Sequence, residues 1–374
     1  MIFASKSNVM HPVPLSSYKY LYYLCTRCDK LLRKNFFMRR INLFIIFSLC
    51  SIFALGQEKD TPLKGEGILA FLKRNNRTEA KQYEKFIQLN KQKLGNSNTL
   101  VLGTVYLLPP LNVADNNKKE NATGKSKTGT QPLFGEKYKN YEIKDNKLAG
   151  ACFFLVSGHG GPDSGAIATV DGWKLHEDEY AYDIMLRLAR CLLEHSATVH
   201  IIIQDPKDGI RDGKYLNNST NETCMGKKIP LNQVERLKQR TDAINQLSLK
   251  SKEKYRRAIF IHLDSRSKKK QLDVFFYYQD VKENIDRSRQ LAITMQKTFR
   301  GFYQKHQPSR GFSGMVSTRP LYVLQNTTPV SILVELANMQ NENDQRRYVL
   351  EDNRQTLADW LCEGFIKDYQ SSSH

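Results

Sequence analysis

Beyond the first 56 residues this 374-residue chain holds four cysteines, Cys152, Cys191, Cys224 and Cys362, and no two of them stand in a CxxC spacing. A cysteine-built metal or redox motif is thereby excluded, and their wide scatter points to buried free thiols rather than a disulfide framework. Long apolar runs are also scarce: the longest, Ile41 to Gly56, falls short of the roughly 20 residues that a membrane-spanning helix needs. No internal repeat is visible. The formal charge is +19, and the first 56 residues supply eight Lys/Arg against one Asp, so most of the excess is spread along the remainder. No RNP, KH or helix-turn-helix pattern accompanies that charge, nor any tract of alternating Arg and aromatic residues, so no nucleic-acid partner is expected. A basic wall facing an anionic polymer or membrane fits it instead.

What is present begins with an export signal. Met38-Arg39-Arg40 precedes the apolar run, and Ala54 and Gly56 supply small residues for cleavage before Gln57, so residues 38–56 read as a signal peptide. Residues 1–37 stand where a leader would be awkward, so translation is expected to start at Met38 and the upstream piece to have no function. Membrane contact is expected only through the signal segment.

In residues 57–110, Phe71 and Leu72 follow Gly65-Glu66-Gly67-Ile68-Leu69, Tyr83, Phe86, Ile87 and Leu89 recur at helical spacing, and Leu102-Gly103-Thr104-Val105-Tyr106-Leu107-Leu108-Pro109 closes the block. The pattern predicts strand, two helices, strand. Residues 111–135 open with a stretch rich in Asn, Lys, Gly, Ser and Thr without apolar periodicity, the composition of a flexible linker. From 136 to 374 short apolar runs alternate with amphipathic stretches: Cys152 to Ser157, Tyr180 to Glu194, Val199 to Gln204, Leu231 to Leu247, Ala258 to Leu263, Ile285 to Phe302 and Ser331 to Leu336. This predicts an α/β domain with a mixed, mainly parallel sheet and helices on both faces, preceded by a small α+β domain.

Four segments of the larger domain carry chemistry. Ser157-Gly158-His159-Gly160-Gly161 turns sharply out of an apolar strand, placing His159 at a strand's carboxyl end, where sites gather in open α/β sheets. Glu177 opens the following helix one turn before Ala181, on its apolar face, whereas Glu179 falls with Asp183 and Arg190 and is expected nearer solvent. His262 ends the run Ala258-Ile259-Phe260-Ile261, with Asp264 two positions on. Glu335 is a lone carboxylate inside Ser331-Ile332-Leu333-Val334-Glu335-Leu336, a costly place for a charge unless it is paired, liganded or working. Two His, a ligand Glu and a separate Glu meet the requirement of a catalytic zinc: three protein ligands, an open position for water and a carboxylate to handle protons. Each residue alone also has a structural explanation: a loop His, a helix-favouring Glu, an ion-paired strand Glu.

The order of these pieces resembles the zinc-dependent N-acetylmuramoyl-L-alanine amidases of the Amidase_3 family, with their Gly-His-Gly-Gly-x-Asp-x-Gly-Ala motif, a Glu opening the next helix, a strand-end His and a Leu-Val-Glu strand. The resemblance spans residues 150–366. It implies one Zn²⁺ held by His159, Glu177 and His262, with Glu335 as catalytic acid/base. The substrate would be peptidoglycan, cut at the amide between N-acetylmuramic acid and L-alanine, and the setting the periplasm or cell envelope of a bacterium. Residues 57–110 more loosely resemble the LysM module, which implies glycan binding. Asp264, Arg310 and Arg319 are candidate substrate-binding residues. Two polar insertions, about 205–230 and 265–273, could be lids, surfaces for a protein regulator or occluding elements. A zinc peptidase acting within the stem peptide, or a non-catalytic peptidoglycan-binding envelope protein, are the competing readings.

Overall fold

The computed structural model describes residues 57–63, 66–77, 80–95, 98–111, 127–264 and 270–372. The signal peptide, the leader and residues 112–126 of the expected linker lie outside these. Among the described residues no helix is long and apolar enough to cross a membrane.

The first block runs β1 (Lys59–Asp60), α1 (Ile68–Arg74), α2 (Ala80–Asn90) and β2 (Tyr106–Leu107). The two strands pair antiparallel, and Phe71, Phe86 and Tyr106 fill a small core of their own. Asn90 ties helix to sheet: its side chain accepts from Leu107 N and donates to Leu107 O, both at 2.8 Å. From buried Tyr83 of α2 the hydroxyl donates to the His306 carbonyl at 2.8 Å, so the block touches the larger domain directly.

That domain starts earlier than the sequence suggested. β3 (Thr128–Thr130) and a short 3-10 turn at Pro132–Phe134 occupy the end of the expected linker, and β3 pairs with β4 (Asn140–Glu142) just beyond it. Phe134 is the reason: it is fully buried in the main core, and its carbonyl accepts from Ile210 N at 3.1 Å.

Six strands form the central sheet in the order β14-β13-β15-β12-β5-β8. β8 (Thr198–Ile201), β5 (Ala151–Ser157), β12 (Tyr255–Asp264) and β15 (Val330–Asn338) run parallel. β13 (Phe275–Tyr278) is antiparallel to β15, and β14 (Met315–Thr318) follows β13 in parallel. Side chains alternate between the two faces of the strands. Phe153, Leu155, Ile259, Ile261, Ile332 and Val334 face one core, shared with α3 (Glu177–Glu194), α5 (Ile285–His306) and α8 (Glu351–Ser372). Cys152, Phe154, Val156, Ala258, Phe260 and Leu333 face the other, with Ile244 of α4 (Gln233–Lys250) and Leu324 of α6 (Tyr322–Gln325). Burial on both faces explains why these strands read as unbroken apolar runs.

α3 and α8 pack side by side and bring Cys191 and Cys362 to a Cα separation of 6.4 Å, where they form a disulfide. The expectation of free thiols therefore holds for buried Cys152 and Cys224 only. Scatter in sequence concealed a pair that helix packing creates. Deeper in the same interface Arg354 and Asp183, both fully buried, form an ion pair that Arg187 shares, fixing α3 against the C-terminal helix.

Candidate metal centre

The site gathers at the carboxyl ends of β5 and β12, beside the start of α3. After β5 the chain turns through His159 with φ 61° and Gly160 and Gly161 with φ 98° and 65°. A non-glycine residue held left-handed carries strain, a hallmark of functional turns. Two further glycines admit the converging side chains. A Cβ on Gly158 would lie 2.5 Å from the His262 ring, and one on Gly165, itself at φ +70°, would lie 2.7 Å from Glu177 Oε2.

Glu177 is the meeting point. Its Oε2 lies 3.2 Å from His159 Nε2, and its Oε1 lies 3.0 Å from His262 Nδ1. Backbone donors hold the carboxylate: Ala166 N at 2.9 Å and Leu263 N at 3.1 Å. The two imidazoles stand nearly perpendicular, centroids 5.1 Å apart. On the far side of His159, Nδ1 contacts Asp163 Oδ2 at 3.0 Å, and Arg236 of α4 donates to the same oxygen at 2.8 Å. Arg240, one helical turn on, donates to the His159 carbonyl. This chain of carboxylate and guanidinium fixes the His159 ring so that Nε2 points into the cluster, the outer-shell arrangement typical of metal-bound histidine.

The electrostatics follow from that packing. Burial opposes a charge on His159, but its hydrogen bonds to the Asp163 and Glu177 carboxylates outweigh it and raise the imidazole to about 10. Burial works against the Glu177 carboxylate too, yet hydrogen bonds with the two histidines hold it far below the usual range. For His262 burial wins and the pKa is lowered.

The donor set fits zinc. One ligand atom from each of His159, Glu177 and His262 lies within 4.8 Å of the others. The 3.2 Å from His159 Nε2 to Glu177 Oε2 is close to the roughly 3.4 Å that separates two ligands of a tetrahedral ion bound at 2.0–2.2 Å.

Glu335 stands in register with His262 on the neighbouring parallel strand, with Phe275 of β13 on its other side. Its carboxyl lies in an almost closed environment, 7 % exposed. Asp264 is also buried, after a register shift that separates it from His262, and pairs with Asn338. Arg310 is engaged elsewhere: it ion-pairs with buried Asp273 and lies over the Tyr303 ring. Arg319 follows Thr318, which is paired to Tyr278 and through it to Ile332, three residues along β15 from Glu335. His159, Glu177 and His262 therefore cluster, with Glu335 paired to His262 on the next strand, and neither arginine is drawn in.

Glu179, expected near solvent, is 1 % exposed. The cause is the 205–230 insertion, which folds back over α3: Arg211 pairs with Glu179 at 2.7 Å and Ser219 N donates to it. The same insertion sends Glu222 to the glycine-rich turn, where its Oε2 accepts from Gly161 N at 2.8 Å. Burial and the charges of Glu179 and Glu222 push the Asp178 carboxyl up to about 8. Sequence reasoning gave no role to Asp163, Arg236 or Glu222. Asp163 stands four residues after His159 in the same turn, a signal that was available. The other two arrive from distant elements. Most of the 265–273 insertion lies outside the described residues.

A doubly covered, mainly parallel sheet with a two-histidine, one-carboxylate cluster at its strand ends defines an α/β domain of the amidase type with a candidate metal site. A family model described as N-acetylmuramoyl-L-alanine amidase matches residues 154–367, and the chain belongs to that family, Amidase_3. It is 25 % identical over 221 residues to the germination-specific N-acetylmuramoyl-L-alanine amidase of Bacillus subtilis, covering 59 % of this chain and 80 % of that protein. Among solved structures, the N-acetylmuramoyl-L-alanine amidase from Clostridium difficile 630 is 20 % identical with a TM-score of 0.43, covering 60 % of this chain and all of that one. Cwp6 from Clostridium difficile is 21 % identical with a TM-score of 0.42, over 58 % of this chain and 29 % of Cwp6.

Proposed function

We propose that this chain is a zinc-dependent peptidoglycan amidase that hydrolyses the amide between the lactyl group of N-acetylmuramic acid and the L-alanine of the stem peptide. The observation that carries it is the convergence of His159 and His262 on Glu177 with Glu335 in register beside His262. Family membership supplies the bond that is cut.

His159, Glu177 and His262 would hold the ion. Zinc bound there supplies a water of lowered pKa and a Lewis acid for the scissile carbonyl. Glu335, nearly buried beside His262, takes the proton of the attacking water and delivers it to the departing amine. Asp163, braced by Arg236, keeps the His159 ring oriented throughout. Asp264, two positions on from His262 in the same strand, would contact substrate, and Arg310 and Arg319 would do so from outside this cluster.

The signal-like segment 38–56 supports export to the cell envelope. The β-α-α-β order of residues 59–107 supports a LysM-like glycan-binding role that raises local substrate concentration. The 205–230 insertion, which touches both Glu179 and the Gly161 turn, is the surface through which a protein regulator would act.

Mass spectrometry of products from digested sacculi tests the reaction. Free peptides beginning with L-alanine are expected. Shortened peptides still attached to muramic acid would make the enzyme a stem peptidase, and no release by zinc-loaded protein would make it a non-catalytic binder.

A further inference from the structure

The stretch between the metal-site turn and α3 forms a hairpin, β6 (Ile167–Val170) and β7 (Trp173–His176), closed by Asp171-Gly172. Both turn residues have positive φ, 50° and 82°, the backbone of a tight two-residue turn that matches strand twist. The hairpin is rooted in the metal site: Ala166 N donates to Glu177 Oε2, and Ile167 pairs with His176, which precedes Glu177. Ala168 and Leu175 anchor its lower half in the core. Its tip instead carries Trp173, which is 53 % exposed.

Trp173 is stacked on Tyr215 of the 205–230 insertion, centroids 5.1 Å apart and planes 5° from parallel. The Lys214 ammonium lies 4.6 Å from the Tyr215 centroid, and Asp171 accepts from both the Tyr215 hydroxyl and Lys214. With one face of the indole covered by Tyr215, an exposure above half means that its other face is open. A flat, braced aromatic face is thus offered to solvent and rimmed by groups that hydrogen-bond. The neighbouring Thr169, Lys174 and Asp171 are all exposed and polar.

We propose that Trp173, backed by Tyr215, is a sugar-binding subsite that stacks a pyranose ring of the glycan strand next to the muramic acid being cut. The C–H face of a pyranose is apolar with a slight positive edge and complements the negative face of an aromatic ring. Three residue steps along the strand carry Trp173 to His176, about 10 Å at strand rise, which sets the stacked sugar roughly a disaccharide from the metal cluster. This rests on the amidase reading above and deepens it: the subsite would make the enzyme prefer polymeric glycan over an isolated muramoyl peptide.

The test compares two substrates, peptidoglycan glycan strands bearing stem peptides and a single-sugar muramoyl peptide, with wild-type, Trp173→Ala and Trp173→Phe enzymes. Trp173→Ala is expected to raise KM on the polymer about tenfold with kcat within about twofold, to leave the single-sugar substrate unchanged, and to be largely rescued by Trp173→Phe. An unchanged polymer KM, or an equal loss on both substrates, would overturn the proposal. A wild-type enzyme that cleaved neither substrate would instead sink the amidase reading. The subsite would then still be decided by titrating tryptophan emission with peptide-free chito-oligosaccharide: a quench or blue shift lost in Trp173→Phe supports it, and a flat response overturns it.

Discussion

Glu335 sits directly opposite His262 on adjacent parallel strands, with the buried ring of Phe276 following its other cross-strand neighbour, Phe275. Neighbouring strands lie about 4.8 Å apart and paired residues share a face. Sheet register thereby sets the Glu335 carboxylate beside His262, outside the group formed by His159, Glu177 and His262. Glu335→Gln should leave metal content intact while lowering amide hydrolysis by about 10²–10⁴-fold, the usual contribution of general acid/base catalysis. Metal analysis alongside release of peptides from sacculi checks both halves. A variant that kept its turnover would refute the assigned base.

Asp163 tests whether the His159 ring must be held. Asn at this position keeps the shape but loses the charge that His159 Nδ1 and Arg236 both contact. Zinc affinity, measured by chelator competition, should fall about 10–100-fold, as for other outer-shell partners of metal-bound histidine. Circular dichroism should remain that of the wild type.

Gly158 has a different necessity. A methyl group there would overlap His262 at 2.5 Å, so Gly158→Ala should displace the ring and strip the metal while a distant glycine with open space around it, Gly301, tolerates the same change. Comparing zinc content of the two variants isolates the steric effect from the general cost of replacing glycine.

The Cys191–Cys362 disulfide closes a separation of 171 residues between α3 and α8. Its removal by a double Ser substitution should cost about 2–5 kcal/mol of stability, read as a lowered denaturation midpoint. Reductant should lower the wild type to the same value and leave the variant unaffected. Loss on that scale would also loosen α3, whose first residue is Glu177.

Protonation gives a signed prediction for the metal-free protein. Asp178 titrates at about 8 when folded against 3.8 for a free carboxyl. Between those values the folded state holds a proton that the unfolded state has released, so stability declines as pH rises through the window, with a slope of at most about 1.4 kcal/mol per pH unit. Asp178→Asn removes this contribution. Its denaturation midpoint should therefore vary less from pH 4 to 8 than that of the wild type; parallel profiles would contradict the assignment.

Much of the site was legible because each part is local. His159 announces itself by flanking glycines, His262 by ending an apolar run, Glu335 by interrupting one, and Glu177 by the helical face it shares with Ala181. The sheet was legible for the same reason, since strands buried on two faces leave unbroken apolar runs. What stayed hidden depends on chain segments far apart. Glu179 is buried because Arg211 of an insertion reaches back to it, and Cys191 meets Cys362 because two helices pack. Arg236 reaches Asp163 across 73 positions. Periodicity within α3 carries no information about any of these partners.

In the proposed function His159, Glu177 and His262 hold a zinc ion on which turnover depends. Elemental analysis of extensively dialysed protein tests it most directly. About one zinc per chain is predicted for the wild type and for Glu335→Gln, with the metal lost from His159→Ala and His262→Ala. Wild-type protein that hydrolyses peptidoglycan without stoichiometric zinc, or zinc retained in full by both histidine variants, would contradict it.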